Sequence, residues 1–194
     1  MEALGRTTFL AGVNMILRSI GEREVSNIVD PTRGDVSASV SELNNTTTLV
    51  LSEGWDFNRE VRKLSPDEDG RIKVPLSALS LGLTAPFQRD EIVARGDYFF
   101  NKTESTYQFT EPIEFEIIVS LSWDELPENT RQYIIARAAR RVASDRVGDV
   151  SMIQQLGQDE TRTRILVDNA ETEQGNYSMN DSPIVRRINS QWLR

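Results

Sequence analysis

The chain has 194 residues, a length that suits one domain or one domain with a sizeable insertion. It contains no cysteine and no histidine, which excludes disulfides, thiolate nucleophiles, cysteine or imidazole metal sites and a serine–histidine–aspartate triad. Twenty-two basic and thirty acidic residues give a net charge of −8, which favours solubility and disfavours non-specific binding to phosphates. The longest apolar stretches fall short of about 18 residues, so no membrane span is predicted.

Two helices are predicted in the N-terminal part of the chain. Apolar residues recur at spacings of three and four from Thr7 to Ile20, which is typical of one buried helix face. Asp35 is a suitable N-cap for a second helix of about 18 residues, and Gly54 is expected to end it. The segment 44–48 has poor helix propensity, so packing must stabilise this second helix.

From Glu60 the apolar period changes to two, which predicts strands. The sequence of Ser65–Gly70 predicts a hairpin-like turn between strands at Val61–Leu64 and Arg71–Val74. The clearest strand is Ile113–Leu121, where apolar residues alternate with Glu114, Glu116 and Ser120. Further short strands are predicted at Ile92–Ala94, Asp97–Asn101 and Thr106–Phe109.

The helical period returns after Trp123. One helix is predicted from about Leu126–Pro127 to Val147, and a last long helix from about Val150 to Glu173. The fold class is therefore α+β: mostly a helical bundle of about four helices with a small inserted antiparallel β domain. The predicted boundaries are 1–58 and 124–194 for the bundle with its C-terminal tail, and 59–123 for the β domain.

Pairs of carboxylates are the candidate catalytic groups, because two acids can hydrolyse a glycosidic bond. The pairs are Glu114 with Glu116, Asp124 with Glu125, and Asp67 with Glu68 or Asp69. The structural alternative is a solvated strand face for the first pair and a helix start for the second. A hydrolase acting on a cell-envelope polysaccharide is thus the alternative function, whereas the absence of supporting residues favours a protein without catalytic residues.

A group of arginines marks the third predicted helix. Arg137, Arg140 and Arg141 share a face opposite the apolar arc, while residues 102–128 carry seven acids and one lysine. This pattern is consistent with contacts between neighbouring copies, in which the arginine face of one copy meets an acidic patch of the next. The alternative is a solvated face with an Arg141–Asp145 pair.

The last 13 residues combine bulky and basic side chains. Arg186, Arg187, Trp192 and Leu193 lie in a segment with no acid after Asp181. Aromatic residues and arginine are typical anchors of protein interfaces. The composition predicts contact with another protein, and docking onto the chain's own bundle is the alternative.

Several short segments, in order along nearly the whole chain, resemble the tail tubular protein A family, the head-to-tail adaptors of short-tailed bacteriophages. The matching segments are Val13–Glu22 with Val25–Ser26, Leu51–Asn58, Val74–Ser80, Leu126–Glu128, Arg137–Arg140 and Tyr177–Asn180. The stretch Asp97–Phe100 departs from the family pattern in the order of its residues.

The resemblance implies a virion structural protein located at the head-to-tail junction and assembled in the host cytoplasm. It implies a ring, twelve-membered in this family, that connects the portal protein to the tail nozzle protein and offers a platform for tail fibres. DNA would pass through the lumen during ejection without specific binding. The resemblance implies no enzyme activity, no catalytic or metal-binding residue and no cofactor. It also implies that the partner contacted by the C-terminal tail is the portal protein.

Overall fold

A computed structural model describes residues 5–29, 33–83 and 91–181, except for the side chains of residues 174–181. Within these residues the chain forms four α-helices and two small antiparallel sheets, so the predicted α+β class is confirmed. The chain divides into two compact units. The helical unit comprises the chain up to Val50 and from Ser122 onward, and the β unit is Leu51–Leu121.

The helical unit is built from α1 (Phe9–Ser19), α2 (Gly34–Leu51), α3 (Glu128–Arg146) and α4 (Val150–Asp181). Helix α1 begins where the Thr8 hydroxyl accepts a hydrogen bond from the Ala11 N–H at 3.1 Å. It ends at Ser19, and Gly21 follows its C-cap with a φ of +79° that suits glycine and lets the Glu22 N–H donate to the Leu17 carbonyl.

The core of the helical unit lies where α1, α2 and α3 meet. Val13, Ile16, Leu43 and Ile134 are fully buried there. Gly12 allows α1 a close approach, since a Cβ at this position would lie 3.3 Å from Ile135 Cδ1. Helix α4 contributes less to this core: Val167 is the residue it buries completely among its described side chains.

Helix α2 contains residues with poor helix propensity, and its structure shows how they are accommodated. Val36, Leu43 and Val50 form its buried stripe. The hydroxyls of Ser39 and Thr47 donate to carbonyls one turn earlier, at 2.7 Å each. The internal bonds satisfy the hydroxyls, and packing of the buried stripe offsets the weak propensity.

The β unit contains β1 (Arg59–Leu64), β2 (Ala78–Leu83), β3 (Ile92–Arg95), β4 (Tyr98–Asn101) and β5 (Ile113–Val119). One sheet has the order β1-β5-β2, and β3 and β4 form a separate hairpin. Ile113, Phe115, Ile117 and Val119 are buried at alternate positions of β5, as the period of two predicts. Phe115 stacks on Phe99 of β4 with ring centroids 4.2 Å apart.

The predicted pairing around residues 65–70 is wrong. Strand β1 pairs with β5 in the register Arg59 to Ile118 and Leu64 to Ile113, not with Arg71–Val74. Arg71 and Lys73 form isolated bridges only, to Gln108 and Tyr98. The turn closes on itself, because the Asp67 carboxylate accepts hydrogen bonds from the N–H groups of Asp69 and Arg71.

Two further differences concern strand positions. Strand β2 is not predicted by the sequence, since its leucine, serine and glycine residues have a weak strand signal. The predicted strand Thr106–Phe109 is reduced to single bridges, from Thr106 to Asn101 and from Gln108 to Arg71. Both differences arise because partner strands distant in sequence decide which segments complete a ladder.

The start and the end of the β unit are fastened by Asn58, which is fully buried. Its Nδ2 donates to the carbonyls of Leu51 at 2.9 Å and Val119 at 3.0 Å, and its Oδ1 accepts from the Trp55 N–H at 2.9 Å. Gly54 lies directly against β5, where a Cβ would come within 2.5 Å of Ile118 Cδ1. The chain therefore requires an amide at 58 and the absence of a side chain at 54.

Candidate functional site

The predicted arginine cluster of α3 does not form one continuous face. Arg140 forms an ion pair with Glu160 of α4, and Arg141 forms one with Glu42 of α2 at 2.6 Å. Arg137 donates to the Tyr133 hydroxyl at 3.1 Å and approaches Glu160 at 3.9 Å. The three arginines thus diverge, two toward α4 and one toward α2.

In these ion pairs the acids are more buried than the bases. The side chains of Glu160 and Glu42 are 17% and 16% exposed, whereas those of Arg140 and Arg141 are 41% and 43% exposed. The guanidinium lies over the carboxylate in each pair, and part of the arginine side chain faces solvent. The predicted Arg141–Asp145 pair is replaced by Arg141–Glu42, a contact between two helices.

The network continues along α4. Arg164 donates to Asp168 at 2.9 Å and to the Tyr133 hydroxyl at 3.3 Å. The guanidinium groups of Arg164 and Arg137 lie 5.4 Å and 5.9 Å from the centroid of the Tyr133 ring. Arginine charge on this side of the helical unit is therefore compensated within the chain by carboxylates and an aromatic ring.

Arg131 belongs to the same helix but has a different role. It is 2% exposed, and its guanidinium donates to the carbonyls of Leu126 at 3.1 Å, Thr7 at 2.8 Å and Asp124 at 2.9 Å. A signal for this burial is present in the sequence. Arg131 falls in the middle of the apolar arc that continues through Ile134, Ile135 and Ala138 at helical spacing.

Glu128 completes the polar cluster around the start of α1. It accepts hydrogen bonds from the Thr7 N–H at 2.9 Å and from Gln132 Nε2 at 2.7 Å, as well as from the Thr7 hydroxyl. Burial raises the pKa of the Glu128 carboxyl. The bonds from Thr7 and Gln132 and the charge of Arg131 outweigh that effect, so the net pKa is lower than usual.

Several of the candidate catalytic carboxylates have structural partners, and Asp67 and Asp69 both pair with Arg71. Glu116 accepts from Arg59 of the neighbouring strand at 2.8 Å. Glu125 accepts from the Ser122 hydroxyl and the Ser122 N–H, and these two bonds lower the pKa of its carboxyl. Both acids therefore stabilise their own turn or sheet.

The remaining predicted residues lie elsewhere. The tail residues Arg186, Arg187, Trp192 and Leu193 are outside the described residues. Among the residues that the structure describes, no group of acids is arranged to hold a metal ion. In the same part of the chain, no helix is long and apolar enough to cross a membrane.

Comparison with known proteins identifies the family. A family model described as tail tubular protein matches residues 10–177, which include the whole β unit and most of the helical unit. Tail tubular protein A of Klebsiella phage KP34 is 24% identical over 181 residues, covering 92% of this chain and 95% of that protein. The chain therefore belongs to the tail tubular protein family and is a structural protein of a phage tail.

Proposed function

We propose that this protein is the head-to-tail adaptor of a short-tailed phage: a ring of identical subunits, twelve in number, between the portal protein and the tail nozzle protein. The observation that carries the proposal is the family match over residues 10–177, since it covers the β unit and most of the helical unit together. The ring is assembled in the host cytoplasm and becomes part of the virion. It serves as a connector during DNA ejection and as a platform for tail fibres.

The charge distribution supports a conduit that lets DNA slide. Phosphate contacts from lysine and arginine would add affinity and slow the passage of the duplex. The net charge is −8, and Arg140, Arg141 and Arg164 each pair with a carboxylate of the same chain. A surface whose arginines are already neutralised offers phosphates few contacts.

Two sets of residues are proposed to make the contacts of the assembly. The exposed parts of Arg137, Arg140 and Arg141 contact the next subunit of the ring, at the periphery of the interface. Arg186, Arg187, Trp192 and Leu193 dock on the portal. The composition of the tail supports this assignment, because aromatic and arginine side chains are frequent anchors of interfaces.

The test is assembly on the portal protein of the same virion. The full chain should co-purify with the portal. Particle images should show a ring that is coaxial with the portal. A variant ending at residue 181 should lose portal binding while its far-ultraviolet circular dichroism keeps most of its helical signal. Portal binding by the truncated variant would contradict the tail assignment, and the absence of any ring on the portal would contradict the adaptor function.

The polysaccharide hydrolase is the alternative of another class. Glu116 pairs with Arg59 across a sheet, and Glu125 accepts a hydrogen bond from Ser122 in a turn. These contacts favour a structural role for both acids. The alternative is tested by clearing of cell-envelope polysaccharide by the purified protein. Clearing that is lost in both Glu114→Gln and Glu116→Gln would establish hydrolysis.

A further inference from the structure

Over residues 150–173, where its side chains are described, helix α4 has an exposed face without charged residues. At 100° per residue, a set of exposed side chains falls within an arc of about 80°. These residues, here called the α4 face, are Ser151, Gln154, Gln158, Thr161, Ile165, Asn169 and Thr172. Ile165 is 52% exposed. The face is bordered by charges: Arg162 on one side, and the Arg164–Asp168 pair on the other.

Helix α2 has a similar exposed face on the opposite side from its buried stripe. These residues, here called the α2 face, are Ser37, Ser41, Asn44, Asn45, Thr48 and Leu49. None of them is charged, and Leu49 is 46% exposed. The Glu42–Arg141 ion pair lies at the border of this face.

Two uncharged exposed faces are unusual in a chain of which 27% of the residues are charged. Exposed helix positions generally carry lysine, glutamate or arginine, which also favour the helix more than serine, threonine and asparagine do. Depletion of charge at the centre with charged residues at the rim is the compositional signal of a protein interface. Both faces have this arrangement.

The α4 face also has room for an aliphatic side chain of the α2 face. The α4 face contains a shallow depression of about 580 Å³ beside Gly157, lined by Gln154, Gln158, Thr161, Ile165 and, at its border, Arg162. A leucine side chain can enter a depression of this size, and Leu49 is the exposed aliphatic residue of the α2 face. Neutral residues then cover neutral residues over most of the contact, and Arg162 is the charged residue at its border.

We propose that the α2 face of one copy packs on the α4 face of the next copy, with Leu49 seated beside Gly157. This contact rests on the proposed ring and specifies its subunit interface. Because the two faces are different surfaces of one chain, the contact is head-to-tail, the type that forms a ring when the rotation between neighbouring subunits closes. Arg141 lies at the rim of this interface, which is consistent with a peripheral role for the arginines.

The absence of cysteine from the chain makes disulfide cross-linking specific. We expect the double variant Leu49→Cys with Gln158→Cys, oxidised after assembly on the portal, to give a ladder of covalent oligomers up to the size of the ring. Each single variant should give no ladder, and a mixture of the two single variants should give covalent dimers. The matched control is Leu49→Cys with Asp159→Cys, because Asp159 is exposed on α4 about 100° away from Gln158.

A second set of variants tests the neutral character of the contact. Thr161→Glu should reduce assembly at least tenfold, because it places a charge at the centre of the interface, and Asn45→Lys in the same chain should restore much of it. Circular dichroism controls for folding. Rings that form on the portal without the cysteine ladder, and that tolerate Thr161→Glu, would overturn this interface and leave the adaptor function standing. The absence of rings in the unmodified protein would overturn both.

Discussion

At the scale of single residues, the buried polar side chains are the clearest determinants of this structure. Arg131 bonds three carbonyls in the helical unit, and Asn58 bonds two carbonyls and one N–H in the β unit. Each joins segments that are remote in sequence: Arg131 bonds Thr7, and Asn58 bonds Val119. Removing a donor of this kind leaves buried carbonyls without a partner, which costs more than the bond itself contributes.

Arg131→Met should lower the free energy of unfolding by about 3 kcal/mol, because three carbonyl acceptors lose a charged donor. Arg131→Lys should recover part of this, since it keeps the charge and loses the planar fork. Urea unfolding of both variants measures the effect. Arg162→Met, at an exposed position of α4, is the control and should change stability by less than about 0.5 kcal/mol. Equal stabilities for Arg131→Met and the control would contradict the role assigned to Arg131.

Asn58→Asp should destabilise the protein by about 2–3 kcal/mol. The substitution directs a carboxylate oxygen at the carbonyls of Leu51 and Val119, where an N–H donor is required. Thermal or urea unfolding measures the loss. The same change at the exposed Asn45 is the control for the added charge. If both variants unfold alike, Asn58 does not fasten the β unit as described.

The dependence of stability on pH follows from Glu125 and Glu128. The pKa of each carboxyl is lower in the folded protein than its ordinary value. Their contribution to stability is therefore complete above the ordinary pKa of glutamate, about 4.3, and disappears as the pH falls through the folded pKa. Glu128→Gln should reduce the free energy of unfolding at pH 7 and flatten its decline in acid. An unchanged acid slope in this variant would show that Glu128 does not contribute to it.

At the scale of elements, Gly54 shows how a single position controls the packing of a strand. Its φ is +79°, and a Cβ there would lie 2.5 Å from Ile118 Cδ1. Gly21 has the same φ but no atom within 4 Å of such a Cβ. Alanine substitutions at the two positions therefore separate the cost of the backbone conformation from the cost of the collision with Ile118.

Gly21→Ala should destabilise by about 1–2 kcal/mol, the cost of a left-handed conformation for a residue with a Cβ. Gly54→Ala should cost more, because the Ile118 side chain must also move. Removing the Cδ1 atom with Ile118→Val should restore part of the stability of Gly54→Ala, and a double-mutant cycle in urea measures this coupling. A coupling energy near zero would mean that the collision is relieved elsewhere.

At the scale of the whole molecule, the distribution of charge is the property that matters for a DNA conduit. The acids Glu42 and Glu160 neutralise arginines of α3 and are themselves mostly covered. The surface potential near these arginines therefore depends on internal ion pairs as well as on the net charge.

The unmodified protein should not retard duplex DNA at about 0.1 M salt, whereas Glu42→Gln with Glu160→Gln should bind it measurably. Each additional arginine–phosphate interaction should add about −0.9 to the slope of log affinity against log salt. The control is Glu111→Gln with Glu173→Gln, which changes two exposed acids and gives the same net charge, −8 + 2 = −6. Fluorescence anisotropy measures both. Equal binding by the two double variants would show that net charge alone governs the interaction.

The amino-acid sequence alone determined the excluded chemistry, the α+β class, the four helices and the strand at β5. These features depend on residue types and on local periodicity, which are visible in the sequence. The pairing of β1 with β5, the existence of β2 and the carbonyl partners of Arg131 were decided by tertiary structure. So were the partners of Arg140 and Arg141, which lie on other helices. The physical reason is that strand pairing, burial and ion pairing depend on groups distant in sequence, whose proximity exists only after the chain has packed.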